Sequence, residues 1–315
     1  MEKYLITGGA GFIGSNIVKQ LLKLKKSVRI VDNFSTGREE NIKEFIGNPN
    51  LELINGDLTD LNICRKSVKK IDFVLHQAAI PSVPRSIKDP LKSNNANIVG
   101  TLNLLIAARD EKVKRFVYAS SSSVYGDSPK LPKEEKFPIN PISPYALTKY
   151  TGEKYTQLFW QIYKLPTISL RYFNVFGPRQ NPKSQYAAVI PNFITKLLKK
   201  DSPVIYGDGN QSRDFTYVDN VVNANLLAIK TKQDFGEVFN ISYGKQINLN
   251  QLFKLLQEII KVNIKPKYQE PRDGDILHSR ADISKARNAL NYIPKIELKE
   301  GLIKTVEWFK NYEKF

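Results

Sequence analysis

Cysteine is almost absent from this sequence. Cys64 is the only one in 315 residues, so no disulfide can close within the chain. Long apolar runs are missing as well: no stretch approaches the roughly 18 uncharged apolar residues that a membrane span requires. Internal repeats and low-complexity segments are lacking, which excludes solenoid, collagen-like and largely disordered architectures. No targeting signal opens the chain, because Met1-Glu2-Lys3 runs straight into Tyr4–Thr7, an apolar β-type run. These absences point to a cytoplasmic protein, and no metal site is expected.

What is abundant is positive charge, a formal +17 from 48 Lys and Arg against 31 Asp and Glu. Such an excess can mark a nucleic-acid or membrane-surface binder. Here the lysines are scattered (Lys23, Lys69, Lys199, Lys265), with no long basic block and no aromatic-interleaved basic motif. The charge is read as a solvated surface, with neither nucleic acid nor membrane as partner. With 41% hydrophobic and 25% charged residues, the chain is ordinary globular material. Its length allows one large core or two lobes sharing a cleft.

Short apolar runs alternate with longer helical patterns through the first half. The strand candidates are Tyr4–Thr7, Val28–Asp32, Leu51–Asn55, Phe73–Gln77, Phe116–Ser120 and Thr167–Tyr172, with helical stretches such as Ser15–Leu24 and Asn97–Arg109 between them. Alternation of this kind predicts an α/β fold, a Rossmann-type doubly wound parallel sheet covered on both faces. Beyond about residue 175 the pattern loosens. Pro178, Pro182, Pro191 and Pro203 punctuate it, Gly207–Asn210 marks a turn, and Phe253–Ile260 and Leu302–Phe309 read as amphipathic helices. The expected division is a dinucleotide-binding domain over 1–175 and a smaller α/β substrate lobe over 176–315, with some segments returning to the first.

The glycines Gly8, Gly9, Gly11 and Gly14 lie between the first strand and first helix. Glycine there permits a tight turn, close approach of backbone to a pyrophosphate, and tight packing of helix on strand. The helix N-terminus adds amide donors and partial positive charge. Asp32 ends the second strand 18 residues after Gly14, where a carboxylate can accept from both ribose hydroxyls and repel a 2′-phosphate. The cofactor read from this pattern is NAD. Asp57-Leu58, after the third strand, is a candidate adenine contact.

Tyr145 and Lys149 form Tyr-x-x-x-Lys behind Pro144, a suitable helix start, so both side chains share one helix face. A free tyrosine, with pKa about 10, is a poor base at neutral pH; a neighbouring Lys cation and a positive nicotinamide ring favour phenolate. Upstream, Phe116–Ser120 leads into Ser121-Ser122-Ser123 at the strand end where doubly wound sheets bind ligands. A serine hydroxyl there can donate to a substrate oxygen.

In this order of motifs the sequence resembles the extended short-chain dehydrogenase/reductases, and within them the nucleotide-sugar 4-epimerases. The resemblance runs end to end. It includes Gly8–Gly14, His76-Gln77-Ala78-Ala79, Ser120–Gly126, Tyr145 with Lys149, Arg171–Pro178, Gly207–Phe215 and Arg272–Asp282. Ser82–Ile87 and Tyr186–Pro191 are similar almost residue for residue to bacterial UDP-N-acetylglucosamine 4-epimerases. The resemblance implies that Tyr145 removes the O4 proton while hydride passes from C4 to tightly held NAD. A 4-keto sugar then swings over, and hydride returns to its opposite face. Lys149 would bind the nicotinamide ribose, and Ser121 holds the family's catalytic Ser/Thr position with Ser122 and Ser123 beside the sugar. Phe12, Ile13, Asn33, Gln77, Ala78, Ala79 and Tyr172 fall to the cofactor.

The resemblance also implies a substrate set. Ser82, Val83 and Asn174 would contact the nucleotide sugar. Arg213 and Arg272 would clamp the diphosphate with their guanidinium forks. Val189, Ile190, Phe193 and Tyr206 would line the uridine pocket, and Asp275 would hold the uridine ribose or Arg213. Relatives restricted to non-acetylated sugars carry Tyr where this chain has Ser279, so Ser279 is expected to leave room for a 2-acetamido group. Pro81 stands where galactose-type epimerases have Lys, as in the acetyl-sugar group. Ser122 and Ser123 replace the acids of a 4,6-dehydratase or a uronate decarboxylase. A UDP-uronic acid 4-epimerase stays open, with Arg85 or another cation meeting the C6 carboxylate, as does a silent NAD-binding sensor. Relatives dimerise through the helices that hold Asn97–Arg109 and Tyr145–Tyr163, so a homodimer is expected, with Tyr155, Phe159 and Trp160 fitting either an interface or the core.

Overall fold

The computed structural model describes residues 2–181, 188–271 and 277–313. Six strands lie close to where the apolar runs predict them: β1 (Lys3–Thr7), β2 (Ser27–Asp32), β3 (Leu51–Asn55), β4 (Phe73–His76), β5 (Arg115–Ser121) and β6 (Thr167–Tyr172). A seventh, β7 (Glu237–Ile241), comes from far along the chain and was not expected. Together they form one parallel sheet in the order β3-β2-β1-β4-β5-β6-β7. All six residues of β6 and the first six of β5 are buried, which is why these strands read as continuous apolar runs without alternation.

Strand order reverses between β1 and β4. The ends of the strands on either side of this switch open the crevice in which such sheets hold ligands. Register places Thr7 beside Val31 and His76, and Ser121 beside Tyr172, so residues flagged by the sequence share one carboxyl edge. One face of the sheet is covered by a core containing Ile17, Val18, Leu21, Val221 and Ala224, and another core contains Leu104, Leu105, Ala108 and Phe159.

The helix Phe12–Lys23 follows the glycine turn directly. The predicted helix over Asn97–Arg109 is entered through a π turn, Asn95–Val99, and continues as Gly100–Asp110. The 20-residue helix Pro144–Tyr163 has Pro144 in its first turn and Ser143 as cap, its side chain accepting from the Ala146 amide. Gly152 sits where a Cβ would stand 2.2 Å from the Tyr118 hydroxyl, so glycine lets this helix press onto β5.

Beyond β6 a separate core gathers Phe176, Phe193, Leu197, Phe253, Leu256, Leu302 and Phe309. Its strands are short: Val175–Phe176 pairs with Thr216–Tyr217, Ser212–Arg213 with Ile247–Asn248, and Val204–Tyr206 with Lys267–Gln269. The helix Leu249–Ile260 starts with a capping box in which Asn248 and Gln251 satisfy each other's amides. Among the described residues no helix is long and apolar enough to cross a membrane.

Candidate active site

The glycine turn is shaped by exclusion. Gly8 has φ +65°, and a Cβ on it would lie 2.8 Å from the Ala78 backbone. A Cβ on Gly14 would lie 2.1 Å from the Gly8 carbonyl oxygen. Gly11 precedes the Phe12–Lys23 helix and offers no capping side chain, so the first-turn amides are left for an anion. At the end of β2, Asp32 accepts from the Ala10 amide at 2.9 Å and the Phe34 amide at 2.9 Å. Burial raises its pKa, and those two amides oppose the rise. Asn33 donates to Asp57 at 2.7 Å and draws the loops after β2 and β3 together.

These groups line a groove of about 430 Å³. Every residue expected at the cofactor lines it: Gly8, Gly11, Phe12, Ile13, Gly14, Asp32, Asn33, Asp57, Leu58, Gln77, Ala78, Ala79, Tyr145, Lys149 and Tyr172. Gln77 and Tyr172 are tied by Asn225, whose amide nitrogen donates to the Tyr172 hydroxyl at 2.8 Å and whose oxygen accepts from Gln77 at 3.1 Å. Asn225 lies on the Val218–Lys230 helix and carried no sequence signal. The cradle of glycines, open helix N-terminus and ribose-reaching acid fit a dinucleotide.

Tyr145 and Lys149 stand on one face of their helix, as the spacing requires. Lys149 is buried, and its ammonium donates to the Ala119 carbonyl at 2.8 Å. Burial pulls its pKa down to about 7, with Glu153 opposing. Burial also pushes the Tyr145 phenol up, and a hydrogen bond with Ser121 opposes that. Ser121 in turn accepts from the Ser123 amide at 3.2 Å and hydroxyl at 2.9 Å, which leaves its own proton for the site.

Beyond Tyr145 the groove opens into a chamber of about 410 Å³. Ser121, Ser122, Ser123, Asn174, Arg213 and Ser279 line it, with Pro81, Lys133 and His278. Ser279 is placed by its amide donating to the Ser212 carbonyl at 3.0 Å, and Arg213 donates to the Ser212 and Leu277 carbonyls at 3.0 and 3.1 Å. Asn174 and Arg213 also belong to a further pocket, of about 410 Å³, lined by Val189, Ile190, Phe193 and Tyr206. Groove, chamber and pocket therefore follow one another, sharing Tyr145 and Tyr172 at one junction and Asn174 and Arg213 at the next.

Some expected residues fall elsewhere. Ser82, at the strained φ of +103°, lines the cofactor groove and not the chamber. Val83 is 38% exposed and lines none of the three cavities. Arg85, invoked for a C6 carboxylate, lines the groove. Arg272 and Asp275 lie outside the described residues. Phe159 is buried in the core and Trp160 packs edge-on against Phe235, so neither forms an exposed face.

Two residues had not been singled out, one of them in the chamber. Lys133 is buried there, and its ammonium donates to the Ser128 carbonyl. Asp214 is fully buried, accepts from the Ala281 amide at 3.1 Å and the Gly244 amide at 3.2 Å, and is pushed by burial up to about 6. It ties the Ser279 segment to the strand that carries Arg213.

The family model described as NAD dependent epimerase/dehydratase family matches residues 4–242. The chain belongs to that family. NAD is accordingly its cofactor. The UDP-glucose 4-epimerase of Mycolicibacterium smegmatis is 37% identical over 98% of both chains. The solved UDP-N-acetylglucosamine 4-epimerase from Methanobrevibacter ruminantium M1, in complex with UDP-N-acetylmuramic acid, superposes with a TM-score of 0.94 at 42% identity over 98% of both chains. The UDP-glucuronic acid 4-epimerase from Bacillus cereus, in complex with UDP-glucuronic acid and NAD, gives 0.91 at 34% identity over 98% of this chain and 99% of the other.

Proposed function

We propose that the protein is a UDP-sugar 4-epimerase, inverting C4 of a UDP-hexose through a 4-keto sugar. The favoured pair is UDP-GlcNAc and UDP-GalNAc, with UDP-Glc and UDP-Gal also accepted. The carrying observation is the position of Tyr145, Lys149 and Ser121 at the one junction where the dinucleotide groove meets a sugar-sized chamber. Relatives that act on UDP-sugars at C4, similar along nearly the whole chain, support the reading.

NAD, when bound, supplies a reversible acceptor for the C4 hydrogen and its electron pair. The chain does the rest. Tyr145 takes the O4 proton and later returns it, with Ser121 bridging phenol and sugar oxygen. Lys149 holds the nicotinamide ribose from the groove floor. Arg213 grips the diphosphate, Asn174 contacts the sugar, and Val189, Ile190, Phe193 and Tyr206 take the uridine. A side chain as small as Ser279 leaves the turning sugar space for an acetamido group. Residues 1–175 with β7 hold the cofactor, and most of 176–315 holds the sugar nucleotide.

A homodimer belongs to this reading. Ile87, Leu91, Leu147, Leu158 and Ile162 are 44–69% exposed on the short helices Val83–Lys88 and Pro90–Asn94 and on the Pro144–Tyr163 helix packed beside them. A solution mass near twice 35.9 kDa is expected by light scattering.

The deciding experiment is turnover of UDP-GlcNAc, UDP-Glc and UDP-GlcNAcA without added NAD, read by proton NMR of the anomeric signals. Appearance of UDP-GalNAc supports the full reading. Conversion of UDP-Glc alone keeps the reaction and removes the acetyl-sugar assignment. Conversion of the acid alone moves the substrate to a uronate, for which Lys133 is the buried cation in the chamber. No conversion, even with NAD supplied, overturns the proposal.

A further inference from the structure

Tyr145, Lys149 and Glu153 fall at i, i+4 and i+8 of the Pro144–Tyr163 helix, on one stripe. That stripe meets the last three residues of β5, one side chain to each. Lys149 donates to the Ala119 carbonyl at 2.8 Å, the Ser120 hydroxyl donates to the Glu153 carboxylate, and Ser121 bonds Tyr145. Gly152 removes the Cβ that would keep helix and strand apart.

Glu153 is held from behind. Arg171 on β6 donates to both of its carboxylate oxygens at 2.8 Å. The Arg171 guanidinium also donates to the Tyr125 hydroxyl at 2.8 Å, which donates to Asn240 on β7 at 2.7 Å. The ion pair is all but sealed, its side chains 4% and 1% exposed. Glu153 and Arg171 also contribute to the lining of a further cavity of about 690 Å³. A sealed pair of this kind is weak as a source of stability, because desolvating two charges offsets their attraction. Its position one helical turn from Lys149 gives it a better use.

The groups facing Lys149 are few. From its own helix come Tyr145 and Glu153, from β5 the Tyr118 ring at 5.1 Å, from β4 His76, and from β6 Arg171 behind Glu153. His76 is kept neutral by burial, bonded on both ring nitrogens by Thr7 and Thr101. Among these groups Glu153 is the one carboxylate. We propose that Glu153, locked by Arg171, is a positioning residue: it fixes Ala119–Ser121 against the catalytic helix and sets a carboxylate one helical turn from the Lys149 ammonium. Its catalytic meaning rests on the 4-epimerase reading.

The test replaces Glu153→Gln, which keeps shape and removes charge. Arg171 is then uncompensated, and both changes act on Lys149 in the same direction. The Lys149 amine should release its proton at a pH lower by about one unit. Nitrogen NMR of lysine-labelled protein reads this directly, with Lys149→Met identifying the signal. That readout needs no sugar substrate, so it stands whether or not C4 turnover is found. In turnover, the high-pH limb of kcat should move down by the same amount while KM stays within about threefold. Glu153→Asp should restore the titration midpoint but not kcat, since the shorter arm releases Ser120. Ser120→Ala, which leaves the pair whole, should lower kcat with no shift of the limb, and it carries the test if Glu153→Gln fails to fold. An unmoved Lys149 midpoint in folded Glu153→Gln, a loss of kcat uniform across pH in that variant, or a Ser120→Ala enzyme with unchanged kcat overturns the proposal.

Discussion

The cofactor groove and the sugar chamber adjoin at Tyr145, yet they are held in different ways. The groove is made from the ends of adjacent parallel strands and from backbone stripped of Cβ atoms, with Gly11 and Gly14 both set against the Gly8 carbonyl. Register in a sheet buried on both faces leaves it little freedom to shift. The chamber draws on Ser121–Ser123, Lys133, Asn174, Arg213 and Ser279, segments far apart in sequence. Hydrogen bonds between loops place them, among them Ser279 on Ser212, Asn174 on the Asp214 carbonyl, and Ala281 on the Asp214 carboxylate. A fixed end suits a cofactor retained through many cycles, and a bond-by-bond end suits a substrate that must turn over.

Four substitutions probe this contrast. The largest effect belongs to the junction: Tyr145→Phe should cut kcat by roughly 1,000-fold, in the range of a lost general acid–base, while purified protein carries as much NAD as before. A parallel fall in bound NAD would mean that the residue serves the groove. Next, Gly14→Ala drives a methyl to 2.1 Å from the Gly8 carbonyl. Overpacking of this sort costs about 1–3 kcal/mol, and the variant should melt lower and leave the column without NAD. In the chamber, Ser279→Tyr should spare both melting and NAD content. It should lower kcat/KM for UDP-GlcNAc relative to UDP-Glc by roughly 10- to 100-fold, and an equal fall for both sugars would sink the gatekeeper role. The smallest effect is that of Val83→Ser, at a residue lining none of the three cavities described above, which should change kcat/KM by less than about twofold in the same assay.

The same contrast governs what could be read before folding. The six strands β1–β6, the glycine turn and Tyr145/Lys149 were legible because each is a local pattern whose spacing carries its own geometry. β7 escaped notice because Glu237–Ile241 is a short run interrupted by Asn240, made a strand only by pairing with β6. The two-residue pairs of the second lobe, such as Ser212–Arg213 with Ile247–Asn248, leave no periodicity at all. Glu153 and Arg171 look like two ordinary surface charges until the helix and β6 bring them together in the interior. Ser82 and Val83 were read as neighbours with one role, whereas only Ser82 lines the groove.

The late arrival of β7 has a consequence for how the protein is made. On the ribosome, β1–β6 emerge before residue 173, while the strand that completes their sheet is still more than sixty residues away. Until then β6 is an open edge of unpaired amides and carbonyls, buried on both faces in the finished protein and sticky in the nascent one. The sheet that carries the dinucleotide groove is therefore complete only once residue 241 has emerged, well into the companion lobe.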